Sequence, residues 1–214
     1  MRLIGSYRNA GFEALADGVM AFFDRRSDLQ RPGVAFGPEG QAGAGAAAVE
    51  PAKVSTDISL VAIDRSDPEA YALAEVILRG VNAALAHYLQ QRPLLRDCCP
   101  EQQLFVNPIF NLQRYAPGEG FKRWHCDWTL STEATEPQAR VLAWILYCNS
   151  LPDGGTEFHW QEHHEEAERG KLLIFPAGVS HIHRGRVSHE HTKTIATGWI
   201  NAGSLDDYLQ RLAA

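Results

Sequence analysis

The sequence predicts a mainly β protein, a β-sandwich or jelly roll buttressed by N-terminal helices. Two amphipathic periodicities lie before residue 93, and six short apolar runs follow between residues 104 and 201, separated by Pro, Gly, Asp or Ser. A length of 214 residues with 45% hydrophobic side chains is enough for one well-buried core, so the chain is expected to be a single domain over 1–214. Residues 1–103 would supply helical support and a loop, and 104–201 the jelly-roll core.

Phe12, Leu15, Val19 and Phe22 recur at helical spacing behind the cap residue Asn9, which predicts a helix over about 10–25. Residues 31–50 are dominated by Gly, Ala and Pro and read as a loop, either an inert connection or a lid over a substrate. A strand is expected over 53–63. Ser66-Asp67-Pro68-Glu69 then opens a second helix whose stripe is Tyr71, Ala74, Ile77, Val81, Leu85 and Tyr88, ending before Arg92-Pro93. The later strands fall at 105–106, 110–115, 140–148, 156–160, 171–175 and 193–200, and a short helix from Ser204 closes the chain.

Charge and composition narrow the function. A net charge of −6 with 21% charged residues argues against nucleic acid as the main partner, because phosphate binding needs clustered positive charge. No apolar run approaches the roughly 20 residues that cross a bilayer, so no membrane association is expected. Met1-Arg-Leu-Ile-Gly-Ser-Tyr-Arg8 has no signal-peptide pattern. The four cysteines, Cys98, Cys99, Cys126 and Cys148, make neither a disulfide framework nor a zinc pattern, so reduced thiols and a cytoplasmic location are expected.

The chemistry concentrates in Tyr115-Ala-Pro-Gly-Glu-Gly-Phe-Lys-Arg-Trp-His125-Cys-Asp127. Read as a strand, this segment points His125 and Asp127 to one face. Two imidazoles and a carboxylate on one face of an octahedron suit ferrous iron with open positions. Phe175-Pro-Ala-Gly-Val-Ser-His181-Ile-His183-Arg-Gly offers the third ligand, and strand alternation gives His181 and His183 the same parity, so it does not choose between them. Tyr115 stands ten residues before His125 and Lys193 ten after His183, at the head of a strand whose Ile195, Thr197 and Trp199 share its side. Arg140-Val-Leu-Ala-Trp-Ile-Leu-Tyr147 places a phenol before Asp153-Gly-Gly-Thr-Glu-Phe158. Trp124 and Trp128 read as packing residues, Arg140 and Arg184 as possible substrate contacts, and the His/Glu-rich stretch 157–166 as a solvated hairpin.

Over residues 104–201 these motifs resemble the prolyl 4-hydroxylase-like branch of the iron(II)- and 2-oxoglutarate-dependent dioxygenases, small bacterial and phage type, whose core is a double-stranded β-helix. The family's distal histidine precedes its basic residue by about ten positions, which favours His183 over His181. The proline and glycine usual between them are replaced here by Arg186-Val-Ser-His-Glu-His191. The resemblance implies that His125, Asp127 and His183 hold Fe(II), and that Lys193, Tyr115, Tyr147 and, more weakly, Thr197 hold 2-oxoglutarate. It also implies that O2 is consumed, with ascorbate as a candidate reductant. A small-molecule or peptidyl substrate, with a prolyl residue the family's suggestion, would be hydroxylated as succinate and CO2 are released. A cupin-like metal protein or isomerase without 2-oxoglutarate is the alternative, and it would have no need of Lys193, Tyr115 or Tyr147; a catalytically dead interaction module would tolerate loss of a ligand. Neither the oligomeric state nor the substrate is legible in these residues.

Overall fold

The computed structural model describes residues 3–34, 52–98, 103–128 and 140–212. Most of the Gly/Ala-rich loop expected over 31–50 lies outside the described residues. The chain begins with β1 (Gly5–Arg8), α1 (Ala10–Arg25), β2 (Arg31–Pro32), β3 (Lys53–Val54), β4 (Thr56–Val61), α2 (Pro68–Gln90) and α3 (Pro93–Cys98). It continues with β5 (Leu104–Val106), β6 (Ile109–Tyr115), β7 (Gly120–Phe121), β8 (Arg140–Tyr147), β9 (Leu151–Phe158) and β10 (His163–Ala167). The last elements are β11 (Lys171–Pro176), β12 (His183–Gly185), β13 (Lys193–Ala202) and α4 (Leu205–Leu212).

Local chemistry fixes the helix starts. The Asn9 side chain accepts the Phe12 amide, and Asp67 accepts the amides of Glu69 and Ala70 with Pro68 in the first turn of α2. Each cap is worth about 1 kcal/mol of helix stability. Phe12, Ala16, Val19, Phe22 and Phe23 of α1, with Ile77, Val81, Leu85 and Tyr88 of α2, pack on one face of an eight-stranded sheet. That sheet runs β1-β11-β8-β13-β6-β4-β2, with β5 beside β13. Three of its strands, β1, β2 and β4, precede residue 104. Arg31 and Pro32, expected within the loop, pair with Asp57 and Thr56 at its edge.

A second sheet, β10-β9-β12, lies across the other face. Alternation along β8 shows the layering: Leu142, Trp144 and Leu146 join the helix-side core, while Ala143, Ile145 and Tyr147 join Phe158, Leu173, Phe175 and Ile195 in the core between the sheets. The result is an open, two-sheet jelly roll backed by helices. Asp153-Gly-Gly, expected as a separator, is instead part of β9, because Gly155 at φ +106° lets β10 approach: a Cβ there would lie 2.0 Å from the Glu165 carbonyl oxygen. The stretch 157–166 does form a hairpin, with His163 paired to Phe158. Among the described residues no helix is long and apolar enough to cross a membrane.

Candidate active site

The segment carrying His125 and Asp127 is not the continuous strand expected of it. Strand β7 ends at Phe121, and beyond it the backbone is shared between two partners. His125 exchanges both hydrogen bonds with His183, N to O at 2.9 and 2.8 Å, whereas the Asp127 amide donates to Ala177 at 2.9 Å. The chain bends between these anchors, and convergence of the side chains comes from that bend rather than from alternation. Shared parity also fails for the distal pair. His181 ends a 3-10 turn over Val179–His181, and only His183 lies in β12.

The donor atoms of His125, Asp127 and His183 all lie within 4.8 Å of one another, with His183 Nε2 3.7 Å from Asp127 Oδ2. Each imidazole is oriented by a carbonyl two residues back: Nδ1 of His125 donates to Arg123 and Nδ1 of His183 donates to His181, both at 2.9 Å. A carbonyl only accepts, so Nδ1 carries the proton and Nε2 presents its lone pair inward. Burial, and then the neighbouring His183, push the His125 imidazole down to about 4, which keeps it neutral and available to a cation near neutrality. Phe121 stacks on His125 at 3.7 Å, and Phe175 meets the His183 ring edge-on at 4.9 Å. His181 is buried with Nδ1 against the Ser180 hydroxyl at 3.0 Å, outside the cluster. This set of two nitrogens and one carboxylate suits Fe(II).

Along β13, Lys193 and Ile195 lie at one end of the strand and Trp199 toward the other, about 20 Å from Lys193 at strand spacing. Lys193 is opposite Tyr115 on β6, and Ile195 is opposite Tyr147 on β8, so the two phenols come from the strands on either side. The Lys193 ammonium is 4% exposed, sits 4.8 Å from the centre of the Tyr115 ring and donates to the Arg186 carbonyl at 2.9 Å. Among the described residues it has no carboxylate in ion-pair contact, and burial pushes it down to about 8. A desolvated cation without a counter-ion is a receptor for a carboxylate. The Tyr147 hydroxyl is 2.6 Å from that of Thr156, and burial raises both Tyr147 and Tyr115. Thr197 is half-buried, and its hydroxyl proton goes to the Trp144 carbonyl at 2.8 Å, so toward the pocket it can only accept.

At the other end, the Arg140 guanidinium lies 3.5 Å from the Trp199 ring centre and donates to the Asp127 carbonyl at 2.9 Å. Burial lowers its pKa, so Arg140 is a part-buried rather than a surface arginine. Trp128 covers Gly178, where a Cβ would lie 2.7 Å from the indole, and donates to the Arg140 carbonyl. Arg184 lies on Trp124 at 4.4 Å while pairing with Glu157 at 2.8 Å. The sequence reading missed Gln113 and Phe121. Gln113 lies two residues before Tyr115 on the same face of β6, so parity along that strand was the available signal.

Residues 110–201 match the sequence model of the 2OG-Fe(II) oxygenase superfamily, a span that contains all seven of the expected site residues. Residues 110–201 thus carry a 2OG-Fe(II) oxygenase domain, a class that uses O2 as its oxidant. Three of the solved structures that share its fold are prolyl hydroxylases. The viral collagen prolyl hydroxylase of Paramecium Bursaria Chlorella virus-1, in its 2-oxoglutarate complex, is similar with TM-score 0.60 and 13% identity, over 94% of this chain and 97% of that one. A Pseudomonas putida prolyl-4-hydroxylase gives TM-score 0.59 and 18% identity, over 93% of this chain and 92% of that one. A Trichoplax adhaerens prolyl hydroxylase, in complex with a hypoxia inducible factor peptide fragment, gives 0.58 and 13%, over 99% and 87%. No curated protein matches the chain in sequence.

Proposed function

We propose that His125, Asp127 and His183 hold the Fe(II), that Lys193 with Tyr147 and Tyr115 receives 2-oxoglutarate, and that the substrate is a prolyl residue of a peptide. The observation that carries this reading is the inward-facing donor triad together with a buried ammonium that has no carboxylate partner among the described residues. Bound iron supplies the oxidising chemistry, converting 2-oxoglutarate to succinate and CO2 as a C–H bond becomes C–OH. The protein's part is orientation and dryness. Lys193 neutralises the distal carboxylate, Tyr147 and Tyr115 line its path, and Thr197 offers an acceptor on the same face. Phe121, Phe158 and Phe175 keep water from the two imidazoles.

Arg140 and Trp199 form the wall on which a substrate ring would lie, beside the Asp127 ligand. The prolyl assignment is supported by the prolyl hydroxylases among the similar structures, one of which holds a peptide. In this reading residues 1–214 act as one catalytic domain, without a nucleic-acid partner, in the reducing cytoplasm where Cys98, Cys126 and Cys148 remain free thiols. The test is incubation with Fe(II), 2-oxoglutarate, O2 and ascorbate over proline-containing peptides and free amino acids. Succinate formation matched by gain of one oxygen on a prolyl residue is expected; oxygen gained only by a free amino acid would overturn the peptidyl assignment.

A further inference from the structure

A second charged layer lies behind the site. Lys53 of β3 and Asp57 of β4 meet at 2.5 Å, with their side chains 3% and 14% exposed. The other Asp57 oxygen accepts the Ser55 hydroxyl at 2.7 Å. Gln113 Nε2 donates to Asp57 Oδ2 at 3.4 Å, and Gln113 Oε1 accepts the Tyr115 hydroxyl at 2.6 Å. The line therefore runs Lys53, Asp57, Gln113, Tyr115, with the Lys193 ammonium over the Tyr115 ring.

Burying an ion pair contributes little net stability, because desolvating two charges offsets their attraction. What the pair does fix is direction. An ionised carboxylate only accepts, so Asp57 holds the Gln113 amide with its NH2 outward and its carbonyl toward Tyr115. The single Tyr115 proton is then committed to Gln113, and the phenol ring is held where it underlies Lys193. Lys53 closes the line on the Asp57 carboxylate, and its backbone pairs with Phe121, whose ring stacks on His125.

We propose that Lys53 and Asp57 are positioning residues for the co-substrate, acting through Gln113 on Tyr115. This rests on the reading that Tyr115 and Lys193 receive 2-oxoglutarate. Losing the line weakens 2-oxoglutarate binding and leaves the metal ligands in place.

The experiment is anaerobic titration of the Fe(II)-loaded protein with 2-oxoglutarate, followed by its visible charge-transfer absorption, in wild type, Asp57→Asn, Gln113→Leu and the double variant. Fe(II) affinity and the thermal midpoint of the metal-free proteins are measured alongside. Asp57→Asn and Gln113→Leu should each raise the 2-oxoglutarate Kd about tenfold, the lower end of what losing an outer-shell partner costs. Fe(II) affinity should stay within about twofold, and the double variant should be no worse than either single one, because both act through one chain of contacts. An unshifted Kd, additive effects or a parallel loss of Fe(II) affinity would overturn the positioning role. Should Asp57→Asn fail to fold, Gln113→Leu, which leaves the ion pair intact, decides the matter alone. A wild type that shows no band would overturn the underlying site reading, an outcome distinct from a normal wild-type band with unshifted variants.

Discussion

His125 and His183 face one another across an antiparallel bridge, exchanging backbone hydrogen bonds at 2.9 and 2.8 Å with their ring centres 4.4 Å apart. The same two residues thus set both the backbone spacing and the imidazole spacing, so the position of the His183 ring, the proposed distal ligand, is fixed by main chain. His183→Ala should weaken Fe(II) binding by more than about 100-fold, beyond the loss typical of an outer-shell partner. His181→Ala keeps the carbonyl that orients His183 and should change affinity by less than about tenfold, as measured by competition with a chromophoric chelator.

Lys193 gives a signed pH dependence. Burial puts its ammonium at about 8 in the folded protein, so below that pH the cation is already present and 2-oxoglutarate affinity should be flat. Above it, binding must take up a proton, and the Kd should rise about tenfold per pH unit. Calorimetry at pH 9 in buffers of different ionisation enthalpy should show that uptake in wild type and none in Lys193→Arg. The metal-free protein should show the complementary effect on stability. Between about 8 and the unfolded lysine value of about 10.4, the unfolded chain binds more protons, so stability rises with pH across that window.

Arg140 stacks on Trp199 at one end of the pocket, remote from Lys193 along β13. Arg140→Lys keeps the charge and loses the planar stack, so the peptide KM should rise at least about tenfold while the 2-oxoglutarate Kd is unchanged. Initial rates against peptide at saturating 2-oxoglutarate measure the first, and anaerobic titration measures the second.

Much of the architecture was legible because the physics was local. The caps at Asn9 and Asp67 and the apolar stripes behind them set α1 and α2 within a few residues. Runs such as Leu142 to Tyr147 became strands buried on both faces. Motif spacing named His125, Asp127 and His183, whose donor atoms cluster in the structure although Tyr115, His125, His183 and Lys193 lie on different segments. What sequence did not convey was partnership. Whether the segment around His125 and Asp127 stays extended depends on Ala177 and His183, which lie fifty or more residues away. Likewise Lys53, Asp57 and Gln113 come together only once β4 and β6 pair.

Gly198 tests the packing behind the site. A Cβ there would meet the Phe110 Cβ at 2.8 Å and the Trp144 ring at 3.0 Å, inside the helix-side core. Gly198→Ala should therefore lower unfolding free energy by about 1–3 kcal/mol, read from denaturant curves with an unchanged m value.

The central claim is that one pocket holds Fe(II) on His125, Asp127 and His183 and 2-oxoglutarate on Lys193. The most direct measurement is the visible spectrum of the protein with stoichiometric Fe(II) and 2-oxoglutarate under strict anaerobiosis. A charge-transfer band that forms in wild type, is absent in His183→Ala and requires far more 2-oxoglutarate in Lys193→Ala is the predicted result. A band that survives His183→Ala but is lost in His181→Ala, or one that never forms in the folded wild type, would contradict it.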